Sequence, residues 1–304
     1  MGARERSRLP AAGSLFADSG KSPASPADGS ALDRLVDGSA PQRPEPGPLL
    51  FARFALPPNR LGYCGGHEAA SLLQHLEAGI VDEDLIRQCH DFEGAYPYLS
   101  LIAESARIAD PLDRAVVEGY WLGGPALAVS SGASFAAQLD ARFRRRTPPH
   151  EWPWLASKAA GGAVPHHSFH VLEVLPRIGL LRGGVPAALV PTLEQCLVRP
   201  ARVIAVEGGG LRVRAVRLAQ RAGHLELVDG LDHETVDGHH QELADGPEEL
   251  VAWRANGTPL VPDPRPGDTV ALHWGWACDR LTATQAARLL RVTRASVARA
   301  NATL

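Results

Sequence analysis

Three places in the chain carry residues whose types and spacing could do chemistry. In Pro165-His166-His167-Ser168-Phe169-His170-Val171-Leu172-Glu173, a helix would set His166 and His170 one turn apart with Glu173 three residues beyond. Two imidazoles and a carboxylate on one face make half a site for zinc or iron. The run is not His-Glu-x-x-His, and it brings no further ligand of its own, so hydrogen-bonded structural histidines are the competing reading. Cys64 is the second candidate, in Leu56-Pro57-Pro58-Asn59-Arg60-Leu61-Gly62-Tyr63-Cys64-Gly65-Gly66. There a turn-rich segment leads into a helix whose N-terminus would lower a thiol pKa, and a packed loop cysteine is the plainer reading. The third is His273. Alternation through Thr269–Ala277 puts Val270, Leu272, Trp274 and Trp276 on one face of a strand as core. His273 then shares the other face with Ala271, Gly275 and Ala277, which leaves its imidazole accessible.

The elements that must position these groups follow from the period of the apolar residues. Segments such as AASLLQHLEAG, DLIRQCHDFEG, LSLIAESARIA and SFAAQLDARF repeat at three and four residues, which predicts a helical domain over 48–195. Asp110-Pro111 should open a helix at Leu112, Gly79 and Gly94 sit near segment ends, and Pro97 interrupts the pattern between Tyr96 and Tyr98. After Pro200 the period becomes two, with a strand through Val203–Val206, a glycine turn at Gly208-Gly209-Gly210 and a second strand. A polar stretch holding His233, Asp237, His239 and His240 reads as an insertion between about 229 and 262. Pro266-Gly267-Asp268 is a turn before the His273 strand, and Thr282 with Gln285 forms a capping box that opens a C-terminal helix. Residues 1–47 are rich in Pro, Ser, Gly and Ala, and predict a disordered tail.

Composition narrows the classes. The 304 residues include 31 basic and 34 acidic side chains, a formal net charge of −3, which gives no pull toward nucleic acid or an anionic membrane. No stretch approaches the apolar length of a membrane span or a signal peptide. Four scattered cysteines, without a Cys-x-x-Cys pair, speak against a disulfide framework or zinc ribbon and for a reducing cytoplasm. Arg144-Arg145-Arg146 reads as a solvated face rather than a phosphate site.

The order of features after the helical part is Cys196-Leu197-x-x-Pro200, two strands with a glycine turn, then Gly267-Asp268-x-Val270-x-Leu272-His273-x-Gly275-x-Ala277, then an Ala-rich helix. This resembles the HypC/HupF family of nickel-iron hydrogenase assembly chaperones over residues 196–304. The helical half is similar to an uncharacterised family with PPNRLGYCG and PHHSFH signatures. The fold expected is α+β, a mainly helical N-terminal domain followed by a small OB-like β-barrel with a C-terminal helix. The resemblance implies a non-enzymatic maturation factor that binds an iron centre carrying cyanide and carbon monoxide. It would share that centre with a HypD-type scaffold protein and deliver it to a hydrogenase large-subunit precursor. Cys196 is then the metal ligand, His273 belongs to the same iron site, and Pro200 fixes the chain after the cysteine. The chemistry is coherent, because a low-spin ferrous centre with π-acceptor ligands is soft and prefers a thiolate that a nearby imidazole can help form. Cys196 is internal here, whereas the family's cysteine stands at or beside the N-terminus. The alternatives are a metal-dependent enzyme built on His166, His167, His170 and Glu173 with zinc or iron, and a non-catalytic interaction module.

Overall fold

The computed structural model describes residues 45–66, 68–130, 132–174, 185–228 and 247–302. The segment expected to be a disordered tail lies almost wholly outside the described residues, as do His233, Asp237, His239 and His240 of the expected insertion. Residues Glu45–Leu304 form one compact unit.

Helix α1 (Gly47–Arg60) is buried from Gly47 to Asn59. Its sequence, GPLLFARFALPPNR, is apolar on nearly every side, which is what a central helix needs. Around it come α2 (Ala69–Ala78), α3 (Glu83–His90), α4 (Tyr96–Ala106), α5 (Arg114–Leu122), α6 (Pro125–Ala128), α7 (Gly132–Phe143) and α8 (Trp152–Ala160). Local chemistry sets their ends. Asp82 caps α3 by accepting from the Leu85 amide, and Gly79 and Gly123 close α2 and α5 in the left-handed conformation that glycine adopts freely. Helix α5 starts two residues later than its sequence suggests. The Asp110 carboxylate accepts from the Leu112 amide as a turn, and Asp113 takes the N-cap by accepting from Ala115. Pro97 does not interrupt the helical pattern; it sits in the first turn of α4, where an N–H is dispensable.

The histidine run forms a single turn, α9 (His167–Phe169), that passes directly into a π-helical turn over His170–Val174. After α10 (Val190–Cys196) the chain becomes extended. A five-stranded antiparallel sheet has the order β5-β2-β1-β8-β9, with β1 (Arg199–Glu207), β2 (Gly210–Ala215), β5 (Glu249–Val251), β8 (Thr269–His273) and β9 (Trp276–Leu281). The glycine turn joins β1 to β2 as its sequence predicts, Glu207 pairing with Gly210. Strand β5 falls inside the expected insertion, yet it is a paired edge of the sheet. Two small hairpins complete the strands: β3 (Arg217–Arg221) with β4 (His224–Val228), and β6 (Arg254–Ala255) with β7 (Thr258–Pro259).

Helix α11 (Ala283–Asn301) opens with the predicted capping box of Thr282 and Gln285. It packs against both halves: Val292 and the Arg288 carbonyl lie against Gly123, and Asn301 clamps the Leu225 amide and carbonyl of β4. Helical and sheet residues also share one hydrophobic cluster, in which Phe51, Phe54 and Trp121 join Ala271, Cys278 and Leu289. Two buried arginines reinforce this. Arg53 of α1 donates to the Leu260 carbonyl at 3.0 Å and pairs with Asp279 of β9 at 3.1 Å, while Arg199 holds the Val216 carbonyl and Glu249. The fold is thus mixed helix and sheet, with a helical N-terminal region and a C-terminal helix.

Candidate metal centre

Three buried side chains from separate elements converge where the sheet meets the helices. Cys196 is the last residue of α10, His273 the last of β8, and His167 the first of α9. One donor atom from each lies within 4.8 Å of the others. Their exposures are 7%, 2% and 6%, so water solvates none of them well.

The local sequence explains how His273 is aimed. Its Nδ1–H donates to the Phe54 carbonyl of α1 at 2.7 Å, and its Nε2 has no hydrogen-bond partner. A carbonyl only accepts, so the proton sits on Nδ1 and the lone pair on Nε2. His167 is held at both ends: its Nε2–H donates to the Cys196 carbonyl at 2.8 Å, and Nδ1 lies 3.2 Å from the Tyr120 hydroxyl, which also lies 3.2 Å from the Gly94 carbonyl. Burial pushes the His273 pKa down to about 4 and holds His167 well below its ordinary value, the latter helped by the adjacent His273. Burial likewise pushes the Cys196 thiol up to about 12, with a further rise from Cys64, against which the Trp274 indole N–H favours the thiolate. Near neutral pH the site therefore offers neutral imidazoles beside a protonated thiol. A soft cation that displaces the thiol proton would meet a nitrogen and a sulfur donor already desolvated.

The three residues line a cavity of about 920 Å³ whose wall is mainly aromatic and aliphatic, with Phe92, Tyr120, Trp121 and Leu193 among its residues. Trp274 borders it from a strained position. It is the first residue of the two-residue turn between β8 and β9, with φ +51°, followed by Gly275 at +75°. A bulky side chain in the left-handed region is a strained outlier, and such strain persists only where the surroundings impose it. Here the Trp274 amide is tied to the Gln195 carbonyl at 2.8 Å and the indole stacks on Tyr63 at 4.3 Å. The expected continuous strand through Trp276 is thus corrected: it folds back at Trp274-Gly275, and both tryptophans are half-buried rather than core. His273, expected to stand accessible among small residues, is buried against α1 and Trp121.

The remaining sequence candidates take other partners. His166 caps α9, its Nδ1 accepting from the Ser168 amide at 3.0 Å, and burial lowers its pKa to about 3. His170 lines the cavity, with Nδ1 at 3.2 Å from the Tyr98 hydroxyl. Glu173 is buried between Lys158 at 3.4 Å and Arg299 at 3.1 Å. A regular helix would have stacked these three groups; His166 instead stands outside the helix as an extended N-cap, and a π turn runs through His170 and Glu173. Cys64 does not sit at a helix N-terminus, since α2 begins at Ala69, and desolvation raises its pKa instead of lowering it. Its loop lines the same cavity as Cys196. Cys278 is fully buried, with its thiol directed to the Trp276 carbonyl. His167 belongs to the histidine run, but no spacing within that run ties it to Cys196; only the tertiary fold does, through the bond from its ring to the Cys196 carbonyl.

Residues 43–304 match the family of unknown function DUF6390, and the chain belongs to that family. No curated protein and no solved structure matches it. The family therefore spans helical part and sheet together, and the HypC/HupF resemblance of residues 196–304 rests on its motif residues. No described helix is long and apolar enough to cross a membrane.

Proposed function

We propose that this member of the family is a maturation factor for nickel-iron hydrogenases, a non-enzymatic chaperone that holds an iron-cyanide-carbonyl centre as cargo at Cys196 and His273. The observation that carries this reading is the meeting of those two motif residues in one cavity, with the His273 Nε2 lone pair unused. The antiparallel sheet followed by α11 is compatible with an OB-like barrel and its closing helix. The chemistry favours metal over nucleophilic catalysis. A thiol with its pKa pushed up to about 12 is protonated near neutral pH and attacks poorly, whereas a bound soft metal replaces that proton. The four unpaired cysteines suit a reducing cytoplasm. A HypD-type scaffold would supply the centre and a large-subunit precursor would receive it, with the helical part contributing to docking.

The test is anaerobic purification of the tagged protein from a host that expresses the hydrogenase maturation machinery, followed by infrared spectroscopy in the cyanide and carbonyl stretching region. Bands in the wild type that vanish in Cys196→Ala support the reading. A preparation that contains the HypD-type partner and shows no bands overturns it.

A further inference from the structure

We propose that His167 is the third protein ligand of the metal held at Cys196 and His273, and that the Tyr120 hydroxyl positions it. The inference rests on the metal-holding reading of that pair and deepens it, because the donor it adds comes from the helical half of the chain.

Donor atoms of His167, Cys196 and His273 lie within 4.8 Å of one another. In a tetrahedral site with metal–nitrogen and metal–sulfur bonds of ordinary length, neighbouring donors stand about 3.3–3.6 Å apart, so the three need draw in by at most about 1.5 Å. The His167 ring is already held for this. It meets the His273 ring edge to face, with centroids 5.1 Å apart and 87° between planes, and packs on Trp121 at 4.6 Å. An independent observation points to a ligand at the same place: the buried His273 ring, 2% exposed, has an Nε2 without a partner.

A ligating imidazole presents one lone pair to the metal and spends its other nitrogen on an acceptor. His273 does so through its Nδ1–H and the Phe54 carbonyl. For His167 the acceptor is the Tyr120 oxygen. The Tyr120 hydroxyl lies 3.2 Å from the Gly94 carbonyl and 3.2 Å from His167 Nδ1. A carbonyl only accepts, so once the single hydroxyl proton goes to Gly94, the Tyr120 oxygen is left to accept from an Nδ1–H of His167. That chain frees Nε2, which without metal donates to the Cys196 carbonyl at 2.8 Å and so already lies beside the residue that supplies the thiolate. Metal binding exchanges this hydrogen bond for a coordinate bond. The Nε2 proton leaves as another is taken up at Nδ1, which keeps the ring neutral; the Cys196 thiol proton goes to solvent, and the metal keeps its oxidation state. Two imidazoles and one thiolate form a donor set that suits zinc, cobalt or ferrous iron, and the cavity that all three residues line has room for a further ligand.

Long-range proton–nitrogen NMR of the full chain with isotope-labelled histidine reads tautomer and ligation together, with zinc(II) as the probe and His167→Gln and His273→Gln to identify the two signals. Without metal, His167 should carry its proton on Nε2. With zinc(II), the Nε2 signals of both His167 and His273 should shift, and the His167 proton should stand on Nδ1. A shift at His273 with His167 unchanged overturns the third ligand and leaves the Cys196/His273 pair standing. No shift at either ring overturns both. Tyr120→Phe tests the positioning: zinc(II) affinity should fall about 10–100-fold while the His273 signal still shifts at saturation. Unchanged affinity, or a His167 proton that moves to Nδ1 without the hydroxyl, overturns the role of Tyr120.

Discussion

The Nδ1–H of His273 completes the hydrogen bonding of Phe54, a residue on a different element and far away in sequence. In a continuous helix the Phe54 carbonyl would accept from residue 58, and residue 58 is proline, which has no N–H. The two prolines near the end of α1 thus leave a carbonyl directed at β8, and the imidazole that fills the vacancy is fixed in the tautomer whose Nε2 can bind a metal.

Replacing Pro58→Ala restores a competing N–H for the Phe54 carbonyl. The expected result is a metal affinity about 10–100-fold weaker, the usual effect of losing the partner that orients a ligating histidine. Isothermal titration with cobalt(II), accompanied by thermal unfolding of the apoprotein, checks this. Unchanged affinity would mean that the carbonyl does not set the tautomer.

Trp274 occupies a position that favours Asn. At the first residue of a two-residue turn followed by glycine, Asn-Gly is the preferred pair, and a bulky side chain at positive φ is strained by about 1–2 kcal/mol. Trp274→Asn should therefore keep the β8–β9 hairpin and offset part of the lost stacking on Tyr63, so that the melting temperature moves little. Alkylation of Cys196 by iodoacetamide should accelerate, because the ring that borders the thiol is gone. If alkylation stays as slow as in the wild type, Trp274 does not guard the cysteine.

This turn also shows where the sequence stops being legible. A two-residue connection keeps the alternation of apolar residues in step, so Thr269–Ala277 looks like one strand although it folds back at Trp274. Pairing of His273 with Trp276 then places the two on the same face, where simple alternation separates them. The glycine turn after β1, the capping box of α11 and the change from helical to alternating period were visible because each depends on neighbours in sequence. Cys196 and His273 were visible as motif residues. Their convergence with His167 was not, since α9, α10 and β8 meet only in the tertiary fold, and the π turn that runs through His170 and Glu173 leaves no mark in the residue spacing.

Glu173 is one acid among two bases. Its side chain is 0% exposed, that of Lys158 3%, and burial raises the pKa of the acid and lowers that of the lysine. Removing the carboxylate charge leaves buried cations without it, which typically costs about 3–5 kcal/mol. Glu173→Ala should lose about that much in urea denaturation, Glu173→Gln somewhat less, and Glu173→Gln should bind cobalt(II) within about twofold of the wild type. A large loss of affinity in a folded Glu173→Gln protein would instead place Glu173 in the metal site.

His170 provides the pH dependence. Burial, and then the charge of Arg142, lower its pKa from 6.5 to about 4. A histidine held neutral in the fold binds its proton more readily once the chain unfolds. Its stabilising contribution is complete above pH 6.5 and disappears as the pH falls toward 4. The full shift corresponds to about 3 kcal/mol, reduced here because His170 is only half-buried at the cavity wall. His170→Gln removes this titration while keeping a side chain that can meet the Tyr98 hydroxyl. Urea denaturation at pH 7, 5.5 and 4 should show the wild type losing more stability than the variant over this interval. Parallel curves for the two proteins would mean that the ring is as well solvated in the fold as in the unfolded chain.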